Sequence, residues 1–395
     1  MGGAQHERRD LMQWLSDAAR EAVTGPAARR PRRAEYSNDG GVTWLPARCG
    51  DGTVTPDRTA ECRYSADVEL LDVTLGAAGI NTEATQVRLF QGIAGPRMDV
   101  EWIPAGVYVV DGVKRTRLGA KLDLLGLEEP IRSASFPTAR TVGPDTAGDL
   151  VPALVGEALP ATPVSWRRGV DQATPVPRFV VDEDRWAALS GGTDESGTQT
   201  GIAAALGAEC WVDARGVFTM APIPTLADPV VWRVPYGLAM VEPAEEQSAE
   251  GVVNLWVVTG DGGDGTATVG PVFVWDDDPN SLTYAGPDPI EDPLAPQRLG
   301  LSGVRLRVER YSSPLITSTG QAYNVGRARL ADSLGVQSSL SFTAVCNPAL
   351  EPGDVVDVEV RPGEWQRHII DSCPYALGGA SMSCTTRTTT RRTTA

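Results

Sequence analysis

The chain has 395 residues, enough for two or three cored domains, and a formal net charge of −16 at pH 7. That excess of acid repels a phosphate backbone and argues against stable nucleic-acid binding, although a wall past which DNA slides without sticking is compatible with it. Apolar residues make up 42% and charged residues 22%, but 42 Gly and 30 Pro demand frequent turns and favour many short strands over long helices.

Lys114 and Lys121 are the only lysines, and the other 33 basic residues are arginine, a bias ascribed to genomic base composition. The acidity itself is also accounted for by solubility alone. Cys49, Cys62, Cys210, Cys346, Cys373 and Cys384 are scattered and never spaced C-x-x-C, so zinc and redox motifs are missing. Cys49 with Cys62, and Cys373 with Cys384, fall on candidate neighbouring strands, but free buried thiols are the expectation. The start, MGGAQHERRD, has no apolar core of a signal peptide, and His6 stands where a myristoylation motif wants Ser or Thr. With no run of about 18 apolar residues, nothing is expected to span a membrane; a soluble protein made in the cytoplasm is expected.

In chain order, residues 1–35 are expected to form an N-terminal arm. Leu11, Leu15, Ala18, Ala19 and Val23 lie near one stripe of a helix over 8–24, and the basic run Ala28–Arg33 follows as a linker, expected to be solvated in preference to touching an acidic partner. Residues 36–135 read as a first β domain, with turns at Asn38–Gly41 and Gly50–Gly52. Its five predicted strands are 42–47, 60–74, 85–91, 100–111 and 113–128, the fourth broken at Trp102–Gly106. Five strands in a hundred residues suggest a small barrel or sandwich.

Residues 136–235 change character to a small α+β module. Thr146–Leu159 is predicted as a helix with Pro152 in an early turn, followed by a proline-rich linker and a strand at Arg178–Val181. A second helix is predicted over Ser196–Leu206, and Ala208–Asp213 with Val217–Met220 is a hairpin signal around Ala214-Arg215-Gly216. Residues 236–395 return to β. Val252–Gly260 and Thr266–Trp275 flank a glycine-rich tip, an acidic Pro/Asp loop occupies 276–297, and strand 303–310 and helix 321–334 follow. Ser338–Val360 then gives two alternating strands around Asn347-Pro348 and Glu351-Pro352-Gly353-Asp354, and Gln366–Ser372 and Ser381–Thr389 close the set. The fold class is therefore mainly β with an α+β insert: two β modules, each a candidate barrel, around a smaller module.

Chemistry is sparse. His6 lies in the arm, and His368, between Arg367 and Ile369, has no sequence-local nucleophile, so a structural role is expected. No G-x-S-x-G, H-E-x-x-H, Walker A or helix-opening G-x-G-x-x-G occurs. Paired carboxylates are a matter of spatial distance, which 51 acids satisfy by chance somewhere. Asp276, Asp277, Asp278, Asp288, Glu291 and Asp292, and Asp261 with Asp264, are weak Ca²⁺ candidates. Their spacing is not that of a calcium loop, and solvated loops are the expectation. Trp102, Trp211, Trp232, Trp256 and Trp275 sit in or beside predicted strands, as core or interface filler rather than sugar platforms. Catalytic, cofactor-binding and metal-binding residues are each assigned as none.

An ordered set of segments resembles the tail-hub (baseplate hub) proteins of long-tailed phages and related tail-like particles, particularly those of actinobacterial hosts. They are Gly52–Ala60, Ile103–Val109, Leu206–Glu209 through Asp213–Val217, Val253-Asn254 through Val258–Gly260, the helix to Leu330, and Asn347–Asp354. The match covers most of residues 50–390; the arm lies outside it and Lys114–Leu127 matches loosely. The resemblance implies two tube-type β-barrel domains per chain and a homotrimer whose six barrels seat on a sixfold tail tube. It implies a structural virion protein at the tail tip, assembled in host cytoplasm and continuing the DNA channel without stable binding or enzymatic activity. The implied partners are the tail tube or distal tail ring protein, the tape measure protein, and tip or fibre proteins. The competing readings are a hexameric distal tail ring protein, a tail-associated cell-wall hydrolase, and a monomeric carbohydrate-binding protein. The hydrolase domain usually follows the tube domains, and Ala395 comes directly after the last predicted strand, which counts against it.

Overall fold

The computed structural model describes residues 13–25, 28–96, 98–181, 184–193, 199–237, 240–247, 252–261, 269–294, 306–334 and 338–388. Helix α1 (Asp17–Thr24) is capped by Ser16, whose hydroxyl accepts from Ala19 N, and it buries Ala19 and Val23. The first part of the predicted helix, with Leu11 and the arm's His6, lies outside the described residues. Glu101 fixes the entry, accepting from Ser16 N at 2.9 Å and from Ser16 Oγ at 2.5 Å.

Six strands follow: β1 (Arg32–Ser37), β2 (Leu45–Pro56), β3 (Tyr64–Leu71), β4 (Gln86–Ile93), β5 (Glu101–Arg115) and β6 (Gly119–Gly126). They pair in the order β1-β4-β5-β6-β3-β2, and β2 returns to β1, so the barrel is closed. Period-2 alternation drives this. Tyr64, Ala66, Val68 and Leu70 of β3, and Ala120, Leu122 and Leu124 of β6, face the interior, each large one contributing roughly 1.5–3 kcal/mol.

Two sequence expectations are corrected here. The basic run is no solvated linker. Its end opens β1, the barrel's first strand, and Arg30 donates to Val23 O and Cys346 O. Arg33 and Arg88 flank the buried Glu35, whose carboxyl burial would raise but the two arginines hold below the usual range. Nor does β5 break at Trp102–Gly106. The ladder runs through with a bulge there, Leu89 facing Gly106 and Phe90 facing Pro104, a position that tolerates a residue without an amide proton.

The insert runs from α2 (Glu128–Ser133) through β7 (Arg140–Val142), β8 (Asp145–Thr146), α3 (Ala147–Ala158), β9 (Val164–Trp166), β10 (Pro175–Val176) and β11 (Phe179–Val181). It continues with α4 (Arg185–Leu189), β12 (Gly192–Thr193), β13 (Gln199–Thr200), α5 (Ile202–Ala205), β14 (Ala208–Val212) and β15 (Phe218–Pro222). Its own core gathers Ile131, Val151, Leu154, Leu189, Ile202, Phe218 and Met220. Of the predicted helix over Ser196–Leu206, residues 196–198 lie outside the described set, and the helical part is only α5.

Then come β16 (Val230–Val234) and β17 (Met240–Gln247), and a separate layer: β18 (Leu255–Gly260), β19 (Val269–Trp275), β20 (Val308–Ser313) and α6 (Thr319–Leu334). The last stretch is β21 (Ser338–Val345), β22 (Val355–Arg361), β23 (Glu364–Ser372), β24 (Tyr375–Ala376) and β25 (Ser381–Thr388). Residues 236–395 are therefore not one barrel. Strands β18–β20 make their own three-stranded sheet in the order β19-β18-β20, with α6 packed on it around Trp256, Val258, Tyr311 and Val325. Gly326 allows the close approach, since a Cβ there would stand 2.6 Å from Val274 Cγ2. Strand β16, expected within the insert, joins the second β module.

That second module repeats the first. Numbering strands within each module, the pairings first–fourth, fourth–fifth, fifth–sixth, sixth–third and third–second occur in β1–β6 and again in β16, β17, β21, β22, β23 and β25. The copies differ at the first strand: β1 runs antiparallel to β4, whereas β16 runs parallel to β22. Among the described residues no rung joins β16 to β17. Both modules belong to one 13-stranded sheet and share one core, from Val68 and Leu122 to Leu340 and Val358. The strap before β1 also spans both, with Gln13 N donating to Ala349 O and Gln13 Nε2 to Pro104 O. Among the described residues no helix is long and apolar enough to cross a membrane.

Candidate functional site

The point where all parts meet is the seam between the two β modules. The short strand β24, in the connection between β23 and β25, lies antiparallel on β2, with Thr53 facing Ala376 and Val54 facing Tyr375. The seam continues past it: Leu377 N donates to Gly52 O, Cys373 N to Pro56 O and Arg58 N to Asp371 O, at 2.8, 3.0 and 2.8 Å.

Behind this seam a chain of charges runs through every part of the molecule. Arg63, before β3, donates to Glu209 Oε1 on β14 at 3.0 Å. Arg58 Nε takes Glu209 Oε2 at 2.7 Å, and its Nη1 reaches Asp332 on α6 at 3.1 Å. Arg387 on β25 closes the row, with Asp332 at 2.9 Å and Asp371 on β23 at 2.6 Å. Burial alone would raise the Glu209 carboxyl, but Arg63 and Arg58 outweigh it and hold it below the usual carboxylate range. At Asp371 burial wins, and its carboxyl sits above the usual range despite Arg387.

Two further groups stitch the seam. Trp211 on β14 meets two cations, with the Arg63 guanidinium 3.9 Å and that of Arg167 5.2 Å from its ring. Glu128, where the first barrel enters the insert, is 1% exposed; its Oε1 accepts from Val212 N at 3.0 Å and Arg63 N at 3.3 Å. Burial pushes its carboxyl up to about 7, in keeping with an Oε2 that has no acceptor role to fill.

This arrangement locks parts together and leaves little for chemistry. A cleft of about 140 Å³ has Glu209 and Glu351 on its walls. It is below the usual 300–1,000 Å³ of a ligand site. Both Glu209 oxygens are taken by arginines, while Glu351 accepts from Tyr64 Oη at 3.2 Å and pairs with Arg167 at 3.6 Å. Trp211 is buried, so it offers no sugar platform. A larger cleft of about 550 Å³ lies between the first barrel and the insert, with Trp44, Arg88, Pro160 and Arg215 on its walls and Asp39 as its acid.

The residues weighed from sequence fall elsewhere. His368 is buried on β23, its Nδ1 3.0 Å from Thr386 Oγ1 and its Nε2 3.2 Å from Gln366 Oε1, and burial lowers its pKa to about 4. Asp276 accepts from Asp278 N and Thr283 Oγ1, and Asp288 from Ile290 N and Glu291 N, so these acids shape their own turns. Asp264 lies outside the described residues. Among the described residues no group of three or more His, Cys, Asp or Glu is placed to hold a metal ion. Trp211 and Trp256 are buried, and Trp102, Trp232 and Trp275 half-buried. All six cysteines are free thiols, with Cys49 half-buried and the other five buried. Sequence reasoning singled out none of Arg58, Arg63, Glu209, Asp332, Asp371 and Arg387; yet Arg58 and Glu209 lie inside the segments that carry the family resemblance.

No family model matches the chain, and no curated protein matches it. Solved structures do. A tail protein from Neisseria meningitidis MC58 is 10% identical, with a TM-score of 0.57 over 90% of this chain and 96% of that one. The 43 kDa tail protein of prophage MuSo2 from Shewanella oneidensis is 13% identical, with a TM-score of 0.51 over 90% and 98%. The chain thus shares its fold, nearly end to end, with phage-type tail proteins.

Proposed function

We propose that the chain is a structural virion protein, the trimeric hub that joins a hexameric tail tube to the tail tip and continues its channel. The observation that carries this reading is the strand order used twice within one continuous sheet. A chain that presents two like β modules side by side turns a threefold assembly into six like docking surfaces, which is what a sixfold tube requires of a threefold tip. The shared fold with two tail proteins supports the same class. The insert and the α6 layer meet the two β modules at the seam through Glu209 and Asp332, and they are the elements that would hold tip or fibre proteins. The net charge of −16 suits a wall that DNA passes without sticking. The tube or distal ring protein and the tape measure protein are the other expected neighbours. Light scattering on the purified chain tests the reading: the hub requires about 126 kDa, three times the 41.9 kDa chain. Six chains would favour a distal ring, and one chain would overturn the hub.

A further inference from the structure

In each module the connection between the fifth and sixth strands stands at the same place in the strand order. In the second module that connection, residues 373–380, carries β24 and docks on β2, the second strand of the first module. In the first module the connection is the β5–β6 hairpin; its turn accepts from Asp72 N at Leu118 O, and among the described residues no strand of the second module pairs with it. Its sequence, Lys114-Arg115-Thr116-Arg117-Leu118-Gly119-Ala120-Lys121, holds four basic residues and no acid in a chain of net charge −16. Lys114, Arg115, Arg117 and Lys121 are exposed, as is Leu118 at 63%. Lys121 reaches Asp67 at 3.2 Å, and among the described residues no ion pair holds Lys114, Arg115 or Arg117. Lys114 also faces Lys121 directly across the ladder, an arrangement of like charges that destabilises an isolated hairpin and that an acidic partner relieves.

The second module's counterpart of β2 is β17. It pairs with β21 along one edge, and among the described residues its other edge has no partner. Its sequence, Met240-Val241-Glu242-Pro243-Ala244-Glu245-Glu246-Gln247, holds three acids and no base. Strand order and charge, which are independent of one another, select the same pair of elements.

We infer that the basic β5–β6 hairpin of one copy docks along the open edge of β17 in a second copy, repeating between chains the β24-on-β2 seam found within the chain. This rests on the trimeric reading above and names its interface. The contact is head to tail, so three copies close a ring in which six junctions alternate between covalently linked and separate modules. An open strand edge is otherwise a liability, and a charged hairpin that meets opposite charge gives the pairing direction and selectivity.

The chain has two lysines, which makes the test sharp. Zero-length carbodiimide coupling of the wild-type assembly, followed by peptide mass spectrometry, is expected to give interchain links from Lys114 or Lys121 to Glu242, Glu245 or Glu246. A trimer whose lysine links go only to Asp67 or elsewhere would overturn the interface and leave the hub intact; a wild-type mass of one chain would overturn both. As a second measurement, K114E/R115E/R117E and E242K/E245K/E246K are each expected to reduce the three-chain mass to one chain, and the two sets combined to restore it. Three-chain mass in both separate variants would overturn the inference.

Discussion

At the scale of single residues, the seam depends on charges that cannot be removed one at a time. Taking Glu209 away leaves Arg58 and Arg63, both largely buried, without their shared partner. Breaking such a set from one side costs on the order of 3–5 kcal/mol. Glu209→Ala is therefore predicted to lose that much in urea unfolding, while Glu309→Ala on the exposed face of β20 stays within about 0.5 kcal/mol of wild type. Equal losses would contradict the seam's importance. Glu128 gives a signature in pH. Folded, it keeps its proton up to about pH 7; unfolded, it releases it near 4.5. The folded chain binds more protons between those values, so this residue's contribution is full below pH 4.5 and is lost as pH rises through 7. His368 acts in the opposite sense, since burial lowers it from 6.5 to about 4 and its contribution is lost as pH falls through that range. The variant difference separates the two. Relative to wild type, Glu128→Gln is predicted to gain about 3 kcal/mol between pH 4.5 and pH 8, and parallel pH profiles would refute it.

At the scale of elements, strands with regular alternation were legible: β3, β6, β21, β22 and β25 each show one apolar and one polar face. Strand β1 was not, because Arg32-Arg33-Ala34-Glu35 has no such face; Arg32 pairs with Asp51 on β2, Arg33 with Glu35, and Glu35 also with Arg88 on a partner strand some fifty residues away. The sequence predicts barrel strands where the α6 layer stands, because strands 255–260 and 269–275 look alike whichever sheet receives them. Pairing partners are a long-range property that period-2 alternation does not encode. The seam network was illegible for the same reason, its six charges coming from four distant stretches of chain. Proline and glycine in β5 suggested a break where the fold places a bulge. Gly106 there has φ 140°, and a Cβ would lie 2.1 Å from Tyr108 Oη, which is buried and donates to Ala105 O. Gly106→Ala is predicted to cost about 2–5 kcal/mol from strain and overpacking. Gly270→Ala, at an open position on β19, should move thermal unfolding little. Similar shifts for both would show that the bulge does not matter.

At the scale of the whole molecule, the two β modules, the insert and the α6 layer are tied at one seam, by strand pairing and by a row of alternating charge. A strap before β1 holds the modules together again through Gln13 and Arg30. Such a body keeps the relative placement of its modules fixed, and a ring that must match six sites needs that. Had the modules been joined by a flexible linker alone, the geometry of one copy would say nothing about its neighbours. The most direct test is electron microscopy of the purified assembly viewed down its axis. The account predicts a ring of six similar lobes with threefold symmetry, the insert and α6 layer of each chain marking every pair of lobes alike; isolated two-lobed particles, or a ring of six whole chains, would contradict it.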